Sequence, residues 1–298
     1  MATEEIRLPL PFARDEQSAR RNLWRTAQRM LRNRLTLFGL AVMLLVVFTA
    51  IFAPVLMPDS PTALRLGQRL RPPGTQFLLG TDELGRDILS RIIGGTQVSL
   101  QIGLIVIGLA GTTGYLLGSA SGYLRGRFDG VVMRVMDVIL AFPPLILAMA
   151  IASFLGPDLN NAMIAIAIVH IPKYTRIARG EALSLRESLF VLSARSTGAS
   201  HWRIITRHIM PNSLASILVI ATLDFGLVIL TAASLGFIGL GAQPPTPEWG
   251  LMVADGRKYL VDAPWVATFP GLTIVLVVIA ANVFGDGLRD FLDPRLRV

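Results

Sequence analysis

The chain has 298 residues, 52% of them hydrophobic and only 16% charged, with a mean hydropathy of +0.57. A soluble domain carries roughly 25% charged residues and a disordered chain is poor in apolar ones, so an ordinary soluble enzyme and a disordered segment are both excluded. The net charge of +8 rests on 28 basic residues, all Arg except Lys173 and Lys258; they flank apolar blocks, which suits lipid headgroups and acidic protein surfaces rather than nucleic acid.

A helix needs about 20 apolar residues to cross a ~30 Å hydrocarbon layer. Residues 1–34, with eight Arg, are expected to form a cytoplasmic N-terminal segment. The 24 uncharged residues between Arg34 and Asp59 predict a first span at 35–57. The long basic leader and the length of this apolar core argue for a retained signal-anchor rather than a cleaved signal peptide. An extracytoplasmic segment, 58–94, follows. The 33 uncharged residues between Arg91 and Arg125 predict a second span at about 99–123, where Gly114, Gly118 and Gly122 at spacing four allow close approach of another helix. That partner is either a helix of this chain or a second subunit. A third span, 131–155, is expected to kink at Pro143–Pro144. Within it Arg134 and Asp137, three apart on one face, predict an ion pair. The weakest span is 159–178, with 14 uncharged residues before Lys173. Spans at 213–240, interrupted by Asp224, and 263–285 complete six transmembrane helices, ahead of a tail at 290–298. The fold class is all-α integral membrane.

Orientation follows from the Lys and Arg count. With both termini cytoplasmic, inner segments hold 20 and outer segments 7. Losing the fourth span would move the seven basic residues of 173–212 outside, so the bias supports that span too. Asp224, near the middle of its span, is a candidate for the translocation path. A satisfied interhelical hydrogen bond is the other reading. The histidines His170, His201 and His208 have no ligand-spaced carboxylate or Cys beside them, which argues against a metal site, and a chain without Cys has no disulfide or thiolate chemistry. A phosphate-binding P-loop needs Gly-Lys in a glycine-rich turn; no Gly-Lys pair occurs. Any ATP dependence must come from another subunit.

The cytoplasmic loop 179–212 is too long for a simple connection. From Ser184 it reads as a helix through Leu185, Leu189, Leu192 and Ala194 that stops at Gly198. Ser200 suits the cap of a second helix, on which Trp202, Ile205 and Ile209 share a face until Pro211 ends it. The run Phe190–Ser200 followed by Arg207–Asn212 resembles the EAA loop of binding-protein-dependent ABC importer permeases, with Ala194, Gly198 and Pro211 in register. Three further stretches, Leu79–Arg91, Leu235–Gly250 and Gly285–Pro294, are similar to signatures of the dipeptide/oligopeptide/nickel permease subfamily, in the subunit type with the extra N-terminal span.

The resemblance implies a type I ABC importer fold over 95–289, paired as a heterodimer with a homologous second permease in the bacterial inner membrane. It further implies two ATPase subunits that bind ATP and Mg, an extracytoplasmic solute-binding protein, and a di- or oligopeptide cargo; nickel, glutathione, opines or haem are the alternatives. This chain would then be no enzyme and hold no cofactor. The residues implied in ATPase coupling are Leu192, Ser193, Ala194, Arg195, Gly198, Ala199, Trp202 and Pro211. One departure stands out: Leu192 and Ser193 occupy the positions of the family's Glu and first Ala, and Glu187, five residues earlier, lies about 140° away around a helix. Docking is therefore expected to rest on apolar contact and arginines. Two rivals make different demands. An ion-coupled secondary transporter calls for internal repeats and several midplane acids, whereas this chain shows no repeat and one central acid. A transport-inactive scaffold has no need of a loop in EAA register.

Overall fold

A computed structural model describes residues 33–292; the expectations for 1–32 of the N-terminal segment and 293–298 of the tail lie outside the described residues. In chain order the helices are α1 (Arg34–Leu56), α2 (Ile88–Leu124), α3 (Gly126–Leu140), α4 (Pro144–Leu155), α5 (Leu159–Arg186), α6 (Leu189–Ser196), α7 (His201–Ile238, with a π turn at Ile205–Ile209), α8 (Trp249–Gly256) and α9 (Trp265–Leu292). Among the described residues the only strand-like pairing is an isolated bridge between Thr81 and Asp87. The protein is an all-helical membrane bundle.

Four helices, α1, α2, α7 and α9, are long and apolar enough to cross a membrane, or five elements if α3 and α4 count as one broken span. The sixth expected span is α5. Its 28 residues rise about 42 Å, but it carries Lys173, Arg176, Arg179, Glu181 and Arg186, so composition alone does not mark it.

Three elements differ from their expected form. Helix α2 has 37 residues and starts at Ile88 rather than near residue 99, because Asp87 caps it by accepting from the Ser90 amide at 2.8 Å. The expected kink at Pro143–Pro144 is a 92° break. Pro144 forces the residue before it out of helical geometry, so Pro143 is extended and Pro144 becomes the first residue of α4. The 12 residues of α4 rise only ~18 Å. Finally, Asp137 pairs with Arg176 of α5 at 2.7 Å rather than with Arg134, since the break brings α3 alongside α5.

The glycine ladder packs within the chain. A Cβ at Gly114 would meet Tyr174 Cβ at 2.6 Å, at Gly118 it would collide with the Thr175 carbonyl, and at Gly122 it would meet the Arg179 carbonyl at 2.5 Å. Backbone contact of this kind replaces the hydrophobic drive that lipid does not supply. Gly118→Ala is accordingly expected to cost about 1–3 kcal/mol through overpacking, read as a lower melting temperature of the detergent-solubilised protein. Gly108→Ala, where a Cβ meets nothing within 4 Å, should leave it unchanged.

The segment between α1 and α2, expected outside the membrane, closes on itself through the Leu79–Arg91 motif. Asp82, 3% exposed, accepts from the amides of Leu84 and Arg86 at 2.9 Å each, and its other oxygen takes Arg86 Nε at 2.5 Å with Arg91 Nε 3.5 Å away. Trp265 Nε1 of α9 donates to the Thr81 carbonyl, and Trp249 Nε1 of α8 to the Ile92 carbonyl. The motif is therefore a lock between this segment and the starts of α8 and α9.

Glu83 and Asp255 sit at its edge, both with raised pKa. Burial is the main cause for each, with the neighbouring Asp82 charge adding to it at Glu83. An acid whose folded-state pKa is raised binds its proton more tightly when folded, so its contribution to stability grows as pH falls through the raised value. Thermal stability, followed as pH is lowered from neutral toward the ordinary carboxylate range, should accordingly depend less on acidification in Glu83→Gln and Asp255→Asn than in the parent.

Candidate coupling element and translocation path

The 179–212 loop folds as two joined helices on a small core shared with the ends of α2 and α5. Helix α5 runs to Arg186 and a separate α6 begins at Leu189, so the helix expected from Ser184 is two pieces, split at the Glu187–Ser188 turn. Glu187 is engaged with Arg125 at 3.3 Å. Gly198 has φ +80°, and the amides of Gly198 and Ala199 turn back to the carbonyls of Arg195 and Ala194 at 3.0 Å. This is the helix stop that glycine's free φ permits. Ser200 then caps α7 by accepting from the Arg203 amide.

Pro211 does not end this second piece; α7 continues through it into the membrane. The π turn explains why. The Met210 amide reaches back to the Ile205 carbonyl, Pro211 follows where its missing N–H is tolerated, and Asn212 Nδ2 and Ser213 Oγ donate to the carbonyls of His208 and Ile209. The same turn alters the helical register. Ile204, Ile205 and Ile209 are buried with Val191 and Tyr123, while Trp202 points outward, 67% exposed, instead of sharing their face.

The coupling residues named from the sequence divide accordingly. Leu192, Ser193, Arg195, Gly198, Trp202 and Pro211 lie on the surface, whereas Ala194 and Ala199 pack against the small core. Leu189, 85% exposed, and Phe190 extend the apolar surface; the sequence placed them on the helix but not among the coupling residues, and their place beside Leu192 was the available signal. Residues 188–212 include Arg195, Arg203 and Arg207 and no Asp or Glu. The result is an apolar and cationic face on a pinned helix, joined through α7 to the bundle.

At membrane depth Asp224 is fully buried and both of its oxygens are engaged. Oδ2 lies 3.0 Å from His170 Nδ1, and Oδ1 accepts from Lys173 Nζ at 2.6 Å. The carboxylate is enclosed by the chain, and the exposed member of the cluster is Lys173, its side chain 45% accessible. Lys173 was expected at the start of the inner segment. It lies instead midway along α5, opposite the middle of α7, because an aspartate from another helix compensates its charge. Arg176 and Arg179, one and two turns on, pair with Asp137 at 2.7 Å and Asp129 at 2.6 Å on α3.

Residues 114–298 match the family described as binding-protein-dependent transport system inner membrane component, and residues 22–73 match the N-terminal transmembrane domain of oligopeptide transport permease C. The chain is 50% identical over 261 residues, 88% of each chain, to the probable D,D-dipeptide transport system permease protein of Escherichia coli strain K12. It is 45% identical to the dipeptide transport system permease protein of Alkalihalophilus pseudofirmus, over 100% of this chain and 97% of that one. It is 43% identical to the glutathione transport system permease protein of Pectobacterium atrosepticum, over 97% and 96%.

Proposed function

The chain belongs to the binding-protein-dependent transport system inner membrane components, and from that premise we propose that it is one permease subunit of an ATP-driven importer of di- or oligopeptides. Its partners in this reading are a homologous second permease, two ATPases that hold ATP and Mg, and an extracytoplasmic binding protein that delivers the peptide. Family membership displaces the ion-coupled secondary transporter and the scaffold. The observation that carries the peptide reading is identity of 45–50% to dipeptide permeases over most or all of the chain. Glutathione, itself a peptide, is the second reading, favoured by the 43% relatives.

Coupling is assigned to the α6–Gly198–α7 element, with Leu192, Ser193, Arg195 and Trp202 touching the ATPase and Ala194, Gly198, Ala199 and Pro211 holding the joint in shape. A change of ATPase shape moves the bundle only if the ATPase's two states grip this face with different affinity. The continuous α7 supports that reading, because force applied near Trp202 is delivered along one rod to Asp224. The test is uptake by the complete importer in proteoliposomes, with a dipeptide and glutathione as probes. Uptake that requires ATP and the binding protein is expected. Uptake driven by an ion gradient without ATPase subunits, or an ATPase that does not crosslink to residues near Gly198, overturns the proposal.

A further inference from the structure

We propose that Lys173, with Arg176 one turn below it, is a cationic contact in the translocation path for the carboxylate of the transported peptide, and that Asp224 and His170 are its positioning residues. This rests on the peptide-importer reading.

The inner half of α5 exposes Lys173, Arg176, Gly180 and Ser184. Spacings of three and four put them on one helical face. The opposite side of the helix is fully used, with Tyr174, Thr175, Ala178 and Ala182 packed against the glycine ladder of α2. An exposed stripe of ammonium, guanidinium, glycine and hydroxyl cannot face acyl chains, because charged groups at membrane depth turn to a protein interior or a water-filled cavity. The outer half of α5 is different: Ile164 is 43% exposed and no charge occurs before Lys173. The polar stripe thus begins at mid-membrane and runs to the cytoplasmic end of the helix, as the wall of an inward-opening path would.

The sign of the contact follows from what each pair presents. Asp224 is 0% exposed and spends both oxygens on His170 and Lys173, so no substrate ammonium reaches it. Lys173 directs one donor to Asp224, and an ammonium has three; those remaining are available on its accessible side. Arg176 and Asp137 are each 52% exposed, so Arg176 also has free guanidinium donors. The accessible charges near this level are therefore mainly cationic, Lys173, Arg176 and the exposed Arg134 of α3 against the single carboxylate of Asp137. Every free peptide carries one C-terminal carboxylate whatever its side chains, which makes this a contact compatible with broad peptide selectivity.

The experiment uses the complete importer in proteoliposomes and compares a free-acid dipeptide with its C-terminal amide, uptake being normalised to ATP hydrolysed. Lys173→Gln should lower free-acid uptake about tenfold more than amide uptake, the scale of one lost charge-assisted hydrogen bond, any general loss from leaving Asp224 with His170 alone falling on both probes alike. Asp224→Asn should shift the acid-to-amide ratio in the same direction. Equal loss for both probes, or loss for neither, overturns the inference. A parent that imports neither probe overturns the peptide reading itself and this inference with it. As a second measurement that does not depend on the Gln variant folding, Lys173→Cys in this cysteine-free chain should react with a membrane-impermeant maleimide from the cytoplasmic side of the nucleotide-free importer. Absence of reaction in a variant that still assembles overturns the aqueous placement.

Discussion

Leu192→Glu is expected to abolish ATP-driven uptake while the four-subunit complex still assembles. The position is where the family carries Glu, so the substitution brings this chain nearer to the common pattern, yet the surroundings here are built for Leu. Leu192 is 39% exposed beside Leu189 and Phe190, with Trp202 exposed across the Gly198 turn. The only charges on residues 188–212 are those of Arg195, Arg203 and Arg207. A surface that fits this face must offer apolar groups and acids. A carboxylate placed at its centre would be desolvated on docking and repelled by those acids. The fold of the element should survive, because its core of Val191, Ile204, Ile205 and Ile209 does not include Leu192. Uptake and ATPase stimulation by the binding protein are the measurements; higher coupling in the variant than in the parent counts against an apolar docking face.

Asp82→Ala is expected to be the most destabilising single change in the segment between α1 and α2. Its carboxylate serves two backbone amides and two guanidinium groups, and Arg86 and Arg91 are 3% and 1% exposed. Removing one partner of a buried pair leaves the other charge uncompensated, at about 3–5 kcal/mol. Glu83, which reaches Arg86 at 2.9 Å, offsets only part of this. Asp82→Asn, which keeps an acceptor for the amides and loses the charge, should fall between parent and alanine variant. Melting temperature and the yield of assembled complex report the effect, and an alanine variant as stable as the parent removes Asp82 from the centre of the lock.

The legible and illegible parts of the protein divide by the range of the forces involved. Apolar runs marked α1, α2, α7 and α9, and the Gly198 stop and Ser200 cap were readable because each depends on residues a few positions apart. The glycine ladder announced close packing but not its partner. The Leu79–Arg91 stretch stood out by resemblance, without any indication that Asp82 binds Arg86 and Arg91 inside a buried lock. Trp202 was grouped with Ile205 and Ile209 because regular helical periodicity puts them on one face; the π turn at Ile205–Ile209, invisible in that periodicity, rotates Ile209 away from Trp202, and Ile204 joins the buried pair instead.

By itself the amino-acid sequence determined the membrane environment, the bias of basic residues between the two sides, and the helix stop and cap in the 179–212 loop. These follow from local composition, from charge counts and from residues a few positions apart. Only the tertiary structure decided what compensates the charged inner half of α5. A hydropathy count ends a span at its first charge and so stops at Lys173. The packed bundle brings Asp224 from 51 residues away to within 2.6 Å of that ammonium, and a compensated charge can sit at mid-membrane where an isolated one cannot.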